Sequence, residues 1–165
     1  MKQRVMAIFP PEFYTDLIHF HALAFAFVYV TMAILQLFTF EDFSSVTAGF
    51  GLPGGVVTAV LIALALPITE IASLPYLLSM RPPRHLYHVS RYFVLVAAAL
   101  WVVIALWTNL TGNNTTSLGL FGATLYTPNQ WWSLVYVVLL AWGAWLMFEA
   151  KPIRRKQDHK ASAKA

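Results

Sequence analysis

In the stretch ALPITEIASLPYLLSM, Ala65 to Met80, a single acid, Glu70, stands between two prolines, Pro67 and Pro75, in one of the most apolar parts of the sequence. Counting the rise of a helix, Glu70 lies about 16 Å from Arg81, the nearest basic residue. A charged side chain at such a depth in hydrocarbon costs about 2.5–3.5 kcal/mol on insertion scales. A carboxyl there must find a donor on another helix or give up its charge. No Lys, Arg or His stands at a similar depth, so the expectation is a mostly protonated Glu70 facing the interior of a helix bundle. Tyr29, Thr31 and Trp101 stand at matching distances from the ends of their own segments and are the expected hydrogen-bond partners in an intramembrane pocket. The plainer alternative is a packing carboxyl bonded to one of the carbonyls, of Ala63 or Ile71, that the prolines set free.

Histidine offers a second chemistry. An opposed pair such as His21 and His88 has the residue types to hold a haem iron or a metal. His85 and His88 have no neighbouring carboxylate, and His19 and His21 point to different faces of a helix. Histidines at a membrane boundary are usually wet polar tips, so no metal is expected. The chain has no cysteine, which excludes disulfides, thiolate metal ligation and thiol catalysis. No glycine-rich phosphate loop, nucleophile elbow or zinc motif is present, and no catalytic residue is assigned.

The elements that must position these residues are apolar helices. Of the 165 residues 59% are apolar and 11% charged, against about 45–50% and about 25% in soluble domains. Four windows are long enough to cross a bilayer, which takes about 20 apolar residues: Leu17 to Phe38, Val56 to Met80, Tyr92 to Leu110 and Trp131 to Phe148. The third, following the connection RHLYHVSR, has the shortest apolar run, because Thr108 and Asn109 already mark its end. All 11 Lys and Arg residues lie outside the windows, before the first, between the second and third, or after the fourth. Basic loops stay cytoplasmic. The expected fold is therefore an all-α integral membrane four-helix bundle with both termini inside, in the cytoplasmic or plasma membrane. Residues 1–150 form one domain, and 151–165 a basic tail expected to be disordered. The basic balance is topology signal and tail, pointing to anionic lipid and not to nucleic acid. The first window is read as a retained helix, because its apolar run exceeds a signal-peptide core and no small-residue cleavage site follows it.

In the first external loop, Thr39 and Asp42 resemble a capping box, and Phe40, Phe43, Val46 and Phe50 share one helical face. They predict a short amphipathic helix on the outer surface, ended by Gly49 and Gly51; the alternative is an ordered loop with buried phenylalanines. Pro67 and Pro75 predict a kinked second helix. Thr127, Pro128 and Gln130 form a start signal for the fourth helix, with Trp131 and Trp132 at headgroup depth. Gln36, near the outer end of the first helix, reads as boundary material. Small residues at Ala97 to Ala99, Ala105, Ala141, Gly143 and Ala144 allow close helix approach.

The blocks AILQLFTFEDFSSVTAGFGLP, LPITEIASLPYLL and LGLFGATLYTPNQWW resemble successive blocks of the DoxX superfamily, and most nearly its methylamine-utilisation, MauE-like branch. The likeness runs from about Ala33 to Phe148. It implies a small four-helix inner-membrane protein with a surface helix after the first span. By this resemblance Glu70 stands at the family's helix-two acid, Phe43 and Pro53 match its loop-one pattern, and Gly119, Phe121 and Gly122 match its loop-three block. Gln36 stands where the family often has lysine, and Leu118 and Leu120 stand at cysteine positions. Family members are linked to thiol or sulfur redox processes and quinone-coupled oxidation, but dithiol exchange is closed to a chain without thiols.

Two functions remain in view. One is a non-enzymatic accessory or assembly component that docks a membrane or extracytoplasmic partner. The other is a redox or small-molecule subunit that uses the Glu70 pocket, with a quinone or haem as the cofactor such a subunit would carry.

Overall fold

A computed structural model describes residues 17–78, 83–112, 117–128 and 131–149. Five helices follow one another: α1 Leu17–Phe38, α2 Phe40–Ala48, α3 Gly55–Leu77, α4 Arg84–Leu110 and α5 Trp131–Glu149. All but α2 are long and apolar enough to cross a membrane. This is a helical membrane protein. The basic tail and Gln130 lie outside the described residues.

The order of packing is α1 on α3, α3 on α4 and α4 on α5, with α1 and α5 meeting only sparsely. That meeting is made where Gly143 leaves room for the Phe25 ring: a Cβ added at Gly143 would sit 2.7 Å from Phe25 Cε2. Ala97, Ala98, Ala105 and Ala144 are buried in the core around Trp101, Tyr29 and Leu66, whereas Ala99 is exposed. The connections α1–α3 and α4–α5 lie at one end of the bundle, here the loop end; Arg91 marks the other, the arginine end.

Two expectations are corrected. The third apolar helix is the longest, 27 residues from Arg84, because RHLYHVSR is helical and does not merely connect. The preceding Pro83 has an extended backbone (φ −51°, ψ 149°) and stands at the N-cap position, outside the helical ladder, where its missing N–H breaks no bond. Within the new turns Ser90 Oγ accepts the Tyr76 N–H at 3.0 Å, fastening α4 to α3. The capping box is also not made. Thr39 makes no side-chain cap bond; its hydroxyl donates to Leu35 O at 2.8 Å and accepts the Ala123 N–H at 3.1 Å.

The helix after the first span is present, with Phe43 and Phe50 fully buried and Phe40 and Val46 packed against the core. Bonds from Thr39 N to Leu35 O and from Phe43 N to Thr39 O carry the helical ladder across the junction, so α1 and α2 form one path bent at Thr39. Gln36 meets Glu70, and Thr47 Oγ1 meets Ala59 O at 3.0 Å. Thr47 lies eleven residues after Gln36 and Ala59 eleven residues before Glu70, about 16 Å of helix on each side. The α1–α2 path therefore runs antiparallel beside α3. Helix α3 itself stays continuous through Pro67 and Pro75.

Candidate functional site

Glu70 is completely buried where α1, α3 and α4 converge. Its Oε1 accepts two hydrogen bonds, from the Trp101 indole Nε1 at 2.9 Å and from the Gln36 amide Nε2 at 3.3 Å. Gln36 Nε2 also donates to the Leu120 carbonyl at 2.9 Å, on the loop between α4 and α5. Three helices and one loop thus meet on a single carboxyl. The amide orientation follows from this: with two acceptors facing it, the group there must be the NH2.

Two atoms of this cluster receive no hydrogen bond among the described residues, Glu70 Oε2 and Gln36 Oε1, although both are buried. Buried acceptors are usually satisfied, so each of these calls for a physical cause.

The loop over the cluster is fastened at several points. Gly119 and Gly122 both have positive φ, +71° and +63°. A Cβ on Gly122 would lie 2.7 Å from the Leu35 carbonyl oxygen, so only glycine allows the loop to reach the α1–α2 bend. Gly119 lies on the Phe43 and Val46 side chains in the same way. Within the loop, Leu118 N donates to Thr127 O at 2.9 Å, and Thr127 Oγ1 takes the Gly119 N–H at 3.0 Å. Thr127 thus closes the loop, where the sequence pointed to a helix cap. Leu118 and Leu120 are buried in the core.

Of the expected partners, Trp101 bonds Glu70. Tyr29 is buried, but its hydroxyl donates to Val94 O at 3.1 Å, and the Thr31 hydroxyl donates back to Phe27 O at 2.8 Å. Gln36 is the partner that boundary reasoning passed over; only its place in the resemblance singled it out. The alternative of a carboxyl bonded to a proline-freed carbonyl is not what the structure contains. His21 and His88 are exposed and lie edge-on to their neighbours Phe20 and Tyr87. No group of three or more His, Asp or Glu able to hold a metal occurs among the described residues. Pro53, at the turn into α3, is exposed, and Phe121 packs partly buried against the core.

Comparison with protein-family models, with curated proteins and with solved structures finds no match to this chain.

Proposed function

We propose that this chain is a DoxX-like, MauE-like membrane protein with both termini cytoplasmic, and that it serves as a non-enzymatic accessory or assembly component. In this reading α2 sits at the extracytoplasmic boundary, with the exposed Glu41 and Asp42 toward water. The observation that carries it is the use made of the buried acid. Through Gln36, Glu70 ties the Leu120 carbonyl, and with it the loop, to the bundle. The fastened loop then presents Leu125 and Tyr126, 51% and 68% exposed, beside the exposed Trp131. Aromatic anchors held rigidly at a surface are the kind of residue on which protein partners dock.

Mild-detergent purification of the tagged chain tests the reading. A stoichiometric protein partner is expected, lost in Tyr126→Glu while the chain still reaches the membrane. A chain that purifies alone, or a partner indifferent to Tyr126→Glu, contradicts it. The second reading, a small-molecule redox subunit, draws on the acceptors Glu70 Oε2 and Gln36 Oε1. It calls for quinone or haem absorbance that copurifies and disappears in Glu70→Gln.

A further inference from the structure

Glu70 and Gln36 hold the site's unused chemistry. Each side chain is planar and bears two polar ends. One end of each is joined to the other by the Gln36 Nε2 to Glu70 Oε1 bond at 3.3 Å. The second end of each is a buried oxygen to which nothing donates among the described residues. Both of these oxygens belong to one bonded pair, and each is short of a donor. A carboxylic acid and a carboxamide side by side supply it: the amide N–H goes to the acid's carbonyl oxygen and the acid O–H to the amide's oxygen, closing a ring.

We propose that Glu70 is a proton-binding site, with the hydrogen carried on Oε2 and donated to Gln36 Oε1. The same assignment explains the asymmetry of the carboxyl. Both N–H donors, from Trp101 and Gln36, converge on Oε1, as expected where Oε1 is the carbonyl oxygen and Oε2 the hydroxyl. An ionised carboxylate would leave a charged oxygen buried without a donor, an arrangement that costs several kcal/mol unless compensated.

Among the described residues the surrounding groups offer no cation to compensate it. On α1, Tyr29 faces this region, but its hydroxyl is committed to Val94 O. On α2, Glu41 and Asp42 are exposed, as is Tyr126 on the loop. On α4, Arg91 stands ten residues from Trp101, about 15 Å along the helix, and both its Nε and Nη2 are spent on the Phe148 carbonyl. Loss of the proton would set a bare carboxylate oxygen beside the Gln36 carbonyl oxygen. The pair would then open, and the Gln36 bond to Leu120 that holds the loop would loosen with it.

This inference rests on the membrane-bundle reading above but not on a docking partner. Infrared spectroscopy of the purified full-length chain in lipid nanodiscs reads it directly. A carboxylic-acid carbonyl band is expected at neutral pH, absent in Glu70→Gln and moved to higher wavenumber in Gln36→Leu. Trp101→Phe, which removes one donor to Oε1 and leaves the acid O–H in place, should also move the band without abolishing it, and serves should Gln36→Leu fail to fold. Absence of the acid band at neutral pH, or a band unmoved by Gln36→Leu in folded protein or by Trp101→Phe, overturns the assignment. The band reports on Glu70 whether or not a partner copurifies, so the two proposals fail separately.

Discussion

At the arginine end of the bundle, Tyr76 on α3 donates to the Met147 carbonyl at 2.6 Å, and Arg91 on α4 donates twice to the Phe148 carbonyl, at 3.2 and 2.6 Å. These are late carbonyls of α5, which no intrahelical N–H can reach. The Arg91 guanidinium also lies 4.2 Å above the Phe148 ring, a cation–π contact. At the loop end the roles are reversed. A side-chain acceptor, Glu70, gathers donors from two helices, and two oxygens of the cluster are left over. The arginine end uses donors to finish a helix terminus. The loop end draws three helices and a loop onto one acid and keeps two acceptors open. Tying helices together explains the first arrangement completely, and the second only in part. That difference is the reason for assigning a proton to Glu70.

Substitutions can widen or erase this contrast. Glu70→Ala should have the largest effect, about 3 kcal/mol. It leaves the Trp101 N–H without an acceptor and takes one from Gln36, and a buried donor left unsatisfied costs about 1–3 kcal/mol. Glu70→Gln, which keeps an acceptor and a donor in place, should stay within about 1 kcal/mol of the parent. Unfolding in mixed detergent measures both; equal losses would remove the argument from donor matching.

Gly122→Ala should come next, at about 2–3 kcal/mol, from left-handed backbone strain together with collision on the Leu35 carbonyl. Gly112→Ala is its control: φ is +64° there, but nothing lies within 4 Å of the added carbon. A control that loses as much as Gly122→Ala would mean that the loop is not seated on the α1–α2 bend.

At the other end, Arg91→Lys should cost about 1–2 kcal/mol, since an ammonium reproduces neither the forked donation nor the stacking. Tyr76→Phe should cost about 0.6 kcal/mol and no more than about 1.7, the average and the maximum measured for side-chain hydrogen bonds between membrane helices. Smallest of all, Thr31→Val should be close to neutral, because the Thr31 hydroxyl only bonds back to its own helix from an exposed position. A clear loss of stability there would show that Thr31 has a partner across the bundle.

The spans were legible because a long apolar run bounded by charge has few other fates, and Glu70 was legible because an acid in such a run is costly. Its surroundings were harder to read. Depths counted from the helix ends set Tyr29 and Thr31 level with Glu70, yet α1 and α3 are staggered. Gln36, close to the end of α1, meets a residue well inside α3, and Tyr29 lies seven residues away, about 10 Å lower. On α4 the offset repeats, with Val94 at Tyr29 and Trp101 at the acid, again seven residues apart. Nothing in a hydropathy window encodes stagger. It follows from the bend at Thr39, which lets α2 continue along α3 and carries the turn to Gly55 far past Gln36. The loop was illegible for a related reason. Gly119 and Gly122 mark close backbone approach, but only the folded chain shows that the surfaces approached are Phe43 and Leu35. The apolar face of α2, by contrast, was plain from the spacing of Phe40, Phe43 and Val46, although Phe50, expected on the same face, lies in the turn beyond the helix.

The central claim is that Gln36 and Glu70, 34 residues apart in sequence, act as one buried unit. A double-mutant cycle with Gln36→Leu and Glu70→Leu, followed by reversible unfolding in mixed detergent, measures their coupling. The account predicts a coupling of at least about 1 kcal/mol; additivity within about 0.3 kcal/mol, the behaviour of independent sites, would contradict it.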